Sequence, residues 1–145
     1  MVREVVSHQL YVHEHADWLD LSPALFKPRA ATAAELREHG ASCTSTLEVS
    51  NAARFSQFEK AFAGDIVAVA TGESWYAGMV VRFVRFGGIK NWCYLHRFEP
   101  IERGSMCSRW KASAAHECVP LASLKHVFLF RADDHCYVLL HPHGL

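Results

Sequence analysis

From residue 64 onward, apolar positions gather in short runs separated by turn residues, the spacing of a chain built from strands. Ile66, Val67 and Val69 predict a strand ended by Thr71-Gly72-Glu73. Residues 75–86 are long, β-branched and aromatic, and apolar on both faces: Trp75, Met79, Val81 and Phe83 on one, Tyr76, Val80, Val84 and Phe86 on the other. Strands covered on both sides, or curled into a barrel, read this way. Gly78 removes a side chain in mid-strand and suits a bend, and Gly87-Gly88 suits a tight hairpin turn. A returning strand over 89–98 alternates Trp92, Tyr94, His96 and Phe98 against Asn91, Cys93, Leu95 and Arg97. Residues 99–117 are polar and read as a long loop, followed by strands over 125–131 and 135–141.

The first half of the chain is less regular. Residues 1–31 place Tyr11, Trp18, Leu19, Leu21, Leu25 and Phe26 without a period, interrupted by Pro23 and Pro28. They read as an extended arm laid on the domain. Thr32-Ala-Ala-Glu35 is a capping box, and Gly40 supplies a left-handed stop, so a short helix is expected over 33–39. At 51–63, Phe55, Phe58 and Phe62 fit a helix, while the Ala63-Gly64-Asp65 turn fits a hairpin whose first strand spans 54–60. The fold class expected is therefore mainly β: a small SH3-like barrel of five or six strands over 51–145, with one or two short helices. An irregular N-terminal arm and the helix would occupy 1–50.

Composition narrows the function. At 145 residues, half of them hydrophobic, the chain suits a single folded domain. Fifteen basic side chains balance fifteen acidic ones, whereas a dedicated nucleic-acid-binding domain usually carries a basic excess. Five cysteines without a repeat argue against a secreted disulfide framework. No apolar run approaches membrane-spanning length, so no membrane partner is expected, and the expected address is nucleus or cytoplasm.

Four constellations could carry chemistry. Trp75, Tyr76, Trp92 and Tyr94 fall on adjacent strands and are the rings that could surround a cation, with Glu73 and Asp133 as an acidic rim. Arg82, Arg85, Arg97, Arg109, Trp110 and Lys111 interleave charge with aromatics, the composition of a nucleic-acid face. Cys93, His96, Cys107, His116 and Cys118 have metal-ligand chemistry, but Cys93 and His96 are an odd number of residues apart and face opposite ways on a regular strand. His13-x-His15 and His141-x-His143 would each share a strand face and are expected to be solvated. A Cys107–His116 dyad can be drawn, but no nucleophile elbow or phosphate loop accompanies it, so no enzyme and no cofactor are expected.

Gly64-Asp65-Ile66-Val67-Ala68-Val69, then Trp75-Tyr76-x-Gly78-x-Val80, then Val119-Pro120-Leu121-Ala122-Ser123-Leu124 leading into a terminal strand, resembles the bromo-adjacent homology (BAH) domain. The first two motifs are also similar to Tudor-type modules. Related modules in mobile-element proteins carry a strand like Ala53-Arg54-Phe55-Ser56 before the Gly-Asp turn, which favours strand over helix at 51–62. The family's central strand carries an Arg-Pro that Trp92-Cys93-Tyr94-Leu95-His96-Arg97 lacks. The resemblance implies a non-enzymatic module that binds a protein segment, such as a histone tail or a methylated lysine, within chromatin or transposon machinery. A nucleic-acid-binding barrel and a zinc-stabilised scaffold are the alternatives.

Overall fold

The computed structural model describes residues 23–40, 46–87 and 90–142. Most of the arm, including Tyr11, Trp18, Leu19 and Leu21, lies outside the described residues, as do His13, His15, His143 and Gly88. The chain is mainly β, with one large sheet and one small one. In order the described elements are β1 (Ala24–Leu25), β2 (Arg29–Ala30), α1 (Ala33–Glu38), β3 (Leu47–Ser50), β4 (Ala52–Arg54), β5 (Lys60–Phe62), β6 (Ile66–Thr71), β7 (Ser74–Phe86), β8 (Lys90–Arg103) and β9 (Cys107–Pro120). A 3-10 turn (Leu121–Ser123), β10 (Leu124–Asp133) and β11 (Cys136–Leu140) complete them.

Pairing in the large sheet runs β6, β7, β8, β9, β11, β10 and returns to β6. The wall is nevertheless not closed along its length, because β11 pairs with β9 only over 107–110 and the rest of β9 pairs with β8 alone. β2 and β3 extend the same sheet from β7, with Val49 opposite Val84, so the sheet crosses the division expected at residue 50. The small sheet joins β1, β4 and β5. The hairpin expected to turn at Ala63-Gly64-Asp65, with 54–60 as its first strand, does not form: β4 pairs instead with β5, and residues 55–59, within the expected strand, are their connection.

Ile66, Val67, Ala68 and Val69 are all buried, so both faces of β6 are covered. On one face lie Val67, Val69, Tyr76, Val80, Cys93 and Leu95; on the other lie Ile66, Ala68, Trp75, Ala77 and Met79. Alternation along β7 does not run unbroken as the sequence suggested. Val81 is an extra residue between the pairs Val80–Leu95 and Arg82–Tyr94. This bulge puts Phe83 on the face of Val80 and turns Val84 outward. The β5–β6 turn locks onto the same place. Gly64 N–H donates to the Val80 carbonyl and Val80 N–H donates to the Asp65 carbonyl, each at 2.8 Å.

Val84 meets a second, smaller core of Leu47 and Val49, against which Leu36, Ala31 and Trp92 pack. This is where α1 docks. The capping box forms as the sequence predicts: Glu35 N–H donates to Thr32 Oγ1 at 3.2 Å and Thr32 N–H donates to Glu35 Oε1 at 2.9 Å. Arg29 reaches the Glu35 carboxylate at 2.9 Å and, with help from the Thr32 backbone, holds its pKa down at about 2. Arg82 of β7 ties the helix to the sheet through Glu38 at 2.8 Å.

The largest departure lies at 99–117. No long loop exists there: β8 continues to Arg103 and β9 begins at Cys107, so the two strands form a long hairpin. Its alternation is interrupted at Ile101, which is unpaired between Pro100–Trp110 and Glu102–Arg109. A wider bulge spans 113–115, where Ser113 Oγ donates to the Arg97 carbonyl at 2.8 Å and accepts from Ala115 N–H at 3.0 Å. Polar outward residues and two breaks in register disguise the strands.

Gly78 is required by β8 rather than by a bend. A Cβ there would lie 2.8 Å from Leu95 Cδ1 and 3.1 Å from the His96 carbonyl oxygen. Gly78→Ala is therefore expected to cost about 1–3 kcal/mol in a urea unfolding series, the range for overpacking a filled core. An unchanged midpoint would show that Leu95 can move aside.

Candidate functional site

The four rings expected to act together are distributed over three places. Tyr76 is 7% exposed. Its hydroxyl donates to the Glu117 carboxylate, and the Arg97 guanidinium lies 4.0 Å from its ring centroid. Burial and this carboxylate push its pKa upward. Trp92 packs into the core beneath α1, with Lys90 Nζ 4.8 Å from its ring. Tyr94, on the same outward face, stacks on His116 at 5.7 Å, and His116 stacks on His96 at 4.3 Å. The stack is capped at one end by Arg82 and His39 against Tyr94, and at the other by Phe98 against His96.

Trp75 goes elsewhere. It is half-buried at the start of β7 and meets three other rings: Trp110 at 5.3 Å, Phe128 at 5.4 Å and His141 at 5.6 Å. The register explains the meeting. Trp110 of β9 lies opposite Tyr137 of β11, and Phe128 of β10 lies opposite Ile66, which in turn faces Met79 on the face of Trp75. The β8–β9 and β10–β11 hairpins thus fold over this side of β6 and β7 and bring the rings together.

The cluster holds a charge. Arg103, the last residue of β8, places its guanidinium 4.9 Å from the Trp75 ring centroid and 4.8 Å from that of Trp110. It also donates from Nη2 to the Trp75 carbonyl at 3.0 Å. A cation over an indole gains about 0.5–1 kcal/mol at an exposed site such as this one. Beneath it runs a polar chain in an otherwise apolar core. Trp110 Nε1–H donates to Ser108 Oγ at 2.6 Å, and Ser108 Oγ is 2.6 Å from His141 Nε2. Burial, and then the nearby Arg103, pull the His141 pKa below its ordinary value. With the imidazole neutral, the Ser108 hydroxyl proton has an acceptor there. Ser108 is 1% exposed, so it braces Trp110 and offers no accessible nucleophile.

Of the expected rim, Glu73 is exposed in the β6–β7 turn, two residues before Trp75. Asp133 closes the β10–β11 turn, accepting from Asp134 N–H at 2.9 Å. It adjoins Ala132, whose cross-strand partner Tyr137 shares the face of Trp110, so Asp133 points away from these rings. The expected basic face is also dispersed. Arg82, Arg85 and Arg97 pair with Glu38, Glu48 and Glu117; Arg109 donates to Cys136 Sγ at 3.5 Å. Trp110 is fully buried in β9 rather than displayed between Arg109 and Lys111 on a loop. Of the metal-ligand set, Cys93 is buried on the inner face while His96, His116 and Cys118 lie on the opposite one, and Cys107 is at the far end of β9. No group of three metal-ligating side chains is assembled among the described residues.

Sequence reasoning missed Phe128 and Ser108, and did not place Arg103 or His141 with Trp75. His141 was expected in solvent; instead it is half-buried against Trp75 and Phe128. The alternation Ser108-Arg109-Trp110, buried, exposed, buried, is the signal that could have located β9. A comparison with protein-family models, curated proteins and solved structures finds no match for this chain.

The depressed His141 pKa has a consequence for stability. The unfolded imidazole takes its proton near 6.5, the folded one at lower pH, so stability is full above 6.5 and falls as pH drops through that window. The urea midpoint is expected to be lower at about pH 5.5 than at about pH 7.5, with a smaller fall in His141→Gln. His39, half-buried beside Arg82 and shifted the same way, leaves a residual fall in the variant. Equal falls in both proteins would remove His141 as a source.

Proposed function

We propose that the protein is a non-enzymatic binding module that takes up a protein segment by one of its cationic side chains at the Trp75–Trp110 cluster. One observation carries this reading: a guanidinium sits over two indoles at once. The rings are backed by Phe128 and His141, so the ring faces are held in place before any partner arrives. A histone tail is rich in such side chains, and the resemblance to BAH and Tudor modules supports that class of partner, in chromatin or in mobile-element machinery. A nucleic-acid partner is less well supported, because Arg82, Arg85 and Arg97 already pair with carboxylates of the chain.

Titration of the tryptophan fluorescence with short peptides bearing lysine, trimethyl-lysine or arginine tests the proposal. At least one is expected to bind the intact protein, and Trp75→Ala is expected to weaken it about tenfold or more, the loss of one good cation–π partner with its buried area. A folded Trp75→Ala variant that binds every peptide as tightly as the intact protein would refute it.

A further inference from the structure

Arg103 differs from four other arginines of the sheet and its flank in what holds its charge. Arg29, Arg82, Arg85 and Arg97 each reach a carboxylate of the chain. Among the described residues no carboxylate pairs with Arg103; its guanidinium rests on the two indole faces and the Trp75 carbonyl. Its backbone is placed by the hairpin. Arg103 pairs with Ser108, and the turn beyond is closed by Gly104 N–H donating to the Cys107 carbonyl at 3.0 Å. The side chain is exposed, so it can swing into solvent without disturbing this backbone.

We infer that Arg103 is a resident competitor for the cation site, and that the ligand which displaces it is another guanidinium, the side chain of an arginine in the partner. The inference rests on the function proposed above and names both its ligand and its control. Two cations cannot share the same ring faces, because like charges a few ångströms apart repel and both would need the same desolvated surface. A ligand therefore binds at the expense of Arg103, and its apparent affinity is reduced by the fraction of molecules in which the site is filled. The Trp75 carbonyl sets the preference. It accepts an N–H from Arg103 at 3.0 Å. A guanidinium ligand brings an N–H to replace that bond, whereas a quaternary ammonium brings none and leaves the carbonyl without its partner.

The test titrates N-acetyl-arginine amide and, separately, tetramethylammonium into the intact protein, Arg103→Ala and Arg103→Gln, following tryptophan fluorescence. Both variants are expected to bind N-acetyl-arginine amide about tenfold more tightly than the intact protein, and more tightly than they bind tetramethylammonium. Arg103→Gln keeps length and a polar end, so it carries the test if the alanine variant does not fold. Equal affinity in intact protein and variants would overturn the competitor role while leaving the site itself standing. Tighter binding of tetramethylammonium than of N-acetyl-arginine amide would overturn the guanidinium preference. Binding of neither probe by any of the three proteins would overturn both this inference and the function on which it rests.

Discussion

The structure depends on burying both faces of one strand pair. β6 and the first half of β7 carry apolar side chains on each side, so neither face can be left to solvent. Leu25 and Ala53 of the small sheet, Phe55 of its connection and Leu121 of the 3-10 turn join the core that holds Val67, Val69 and Val80 from one face. On the other face the β8–β9 and β10–β11 hairpins bring Trp110 and Phe128 against Trp75. The aromatic cluster is thus a product of covering the second face, and Arg103 is where that cover meets solvent.

The Val81 bulge adjusts this plan locally. Without it, Phe83 would lie on the outward face and Val84 on the inner one. With it, the apolar stripe of β7 serves the main core up to Phe83 and then supplies Val84 to the separate core under α1. The helix needs that second core because its own apolar side chains are few; Leu36 is its sole large one. Its remaining attachment is electrostatic, through Arg82 to Glu38 and Arg29 to Glu35, with the half-buried Glu35 ionised down to about pH 2.

Much of this was legible in the chain. The run at 66–69, the doubly apolar stretch at 75–86, the capping box at Thr32 and the last two strands are local patterns, and each forms as its residues direct. The β9 strand was not legible because its side chains alternate small or polar with charged, and a three-residue bulge at 113–115 breaks the period. The candidate site was legible in one residue, Trp75. Tyr76 is its neighbour in sequence, but a strand sends adjacent residues to opposite faces; Trp92 and Tyr94 share the face of Trp75 and lie further along the sheet, opposite Val84 and Arg82. Trp110, Phe128 and Arg103 come from strands, and His141 from just beyond one, whose positions follow from long-range pairing that no local window contains.

Trp75 and Trp110 are proposed to form one cation site, distinct from Trp92. Following the four indole N–H resonances by NMR while N-acetyl-arginine amide is added to the Arg103→Ala protein tests it most directly. The Trp75 and Trp110 resonances are expected to move together along a single saturating curve while that of Trp92 stays still. Movement of Trp92 with Trp75 and Trp110 unmoved, or no movement of any indole, would contradict it.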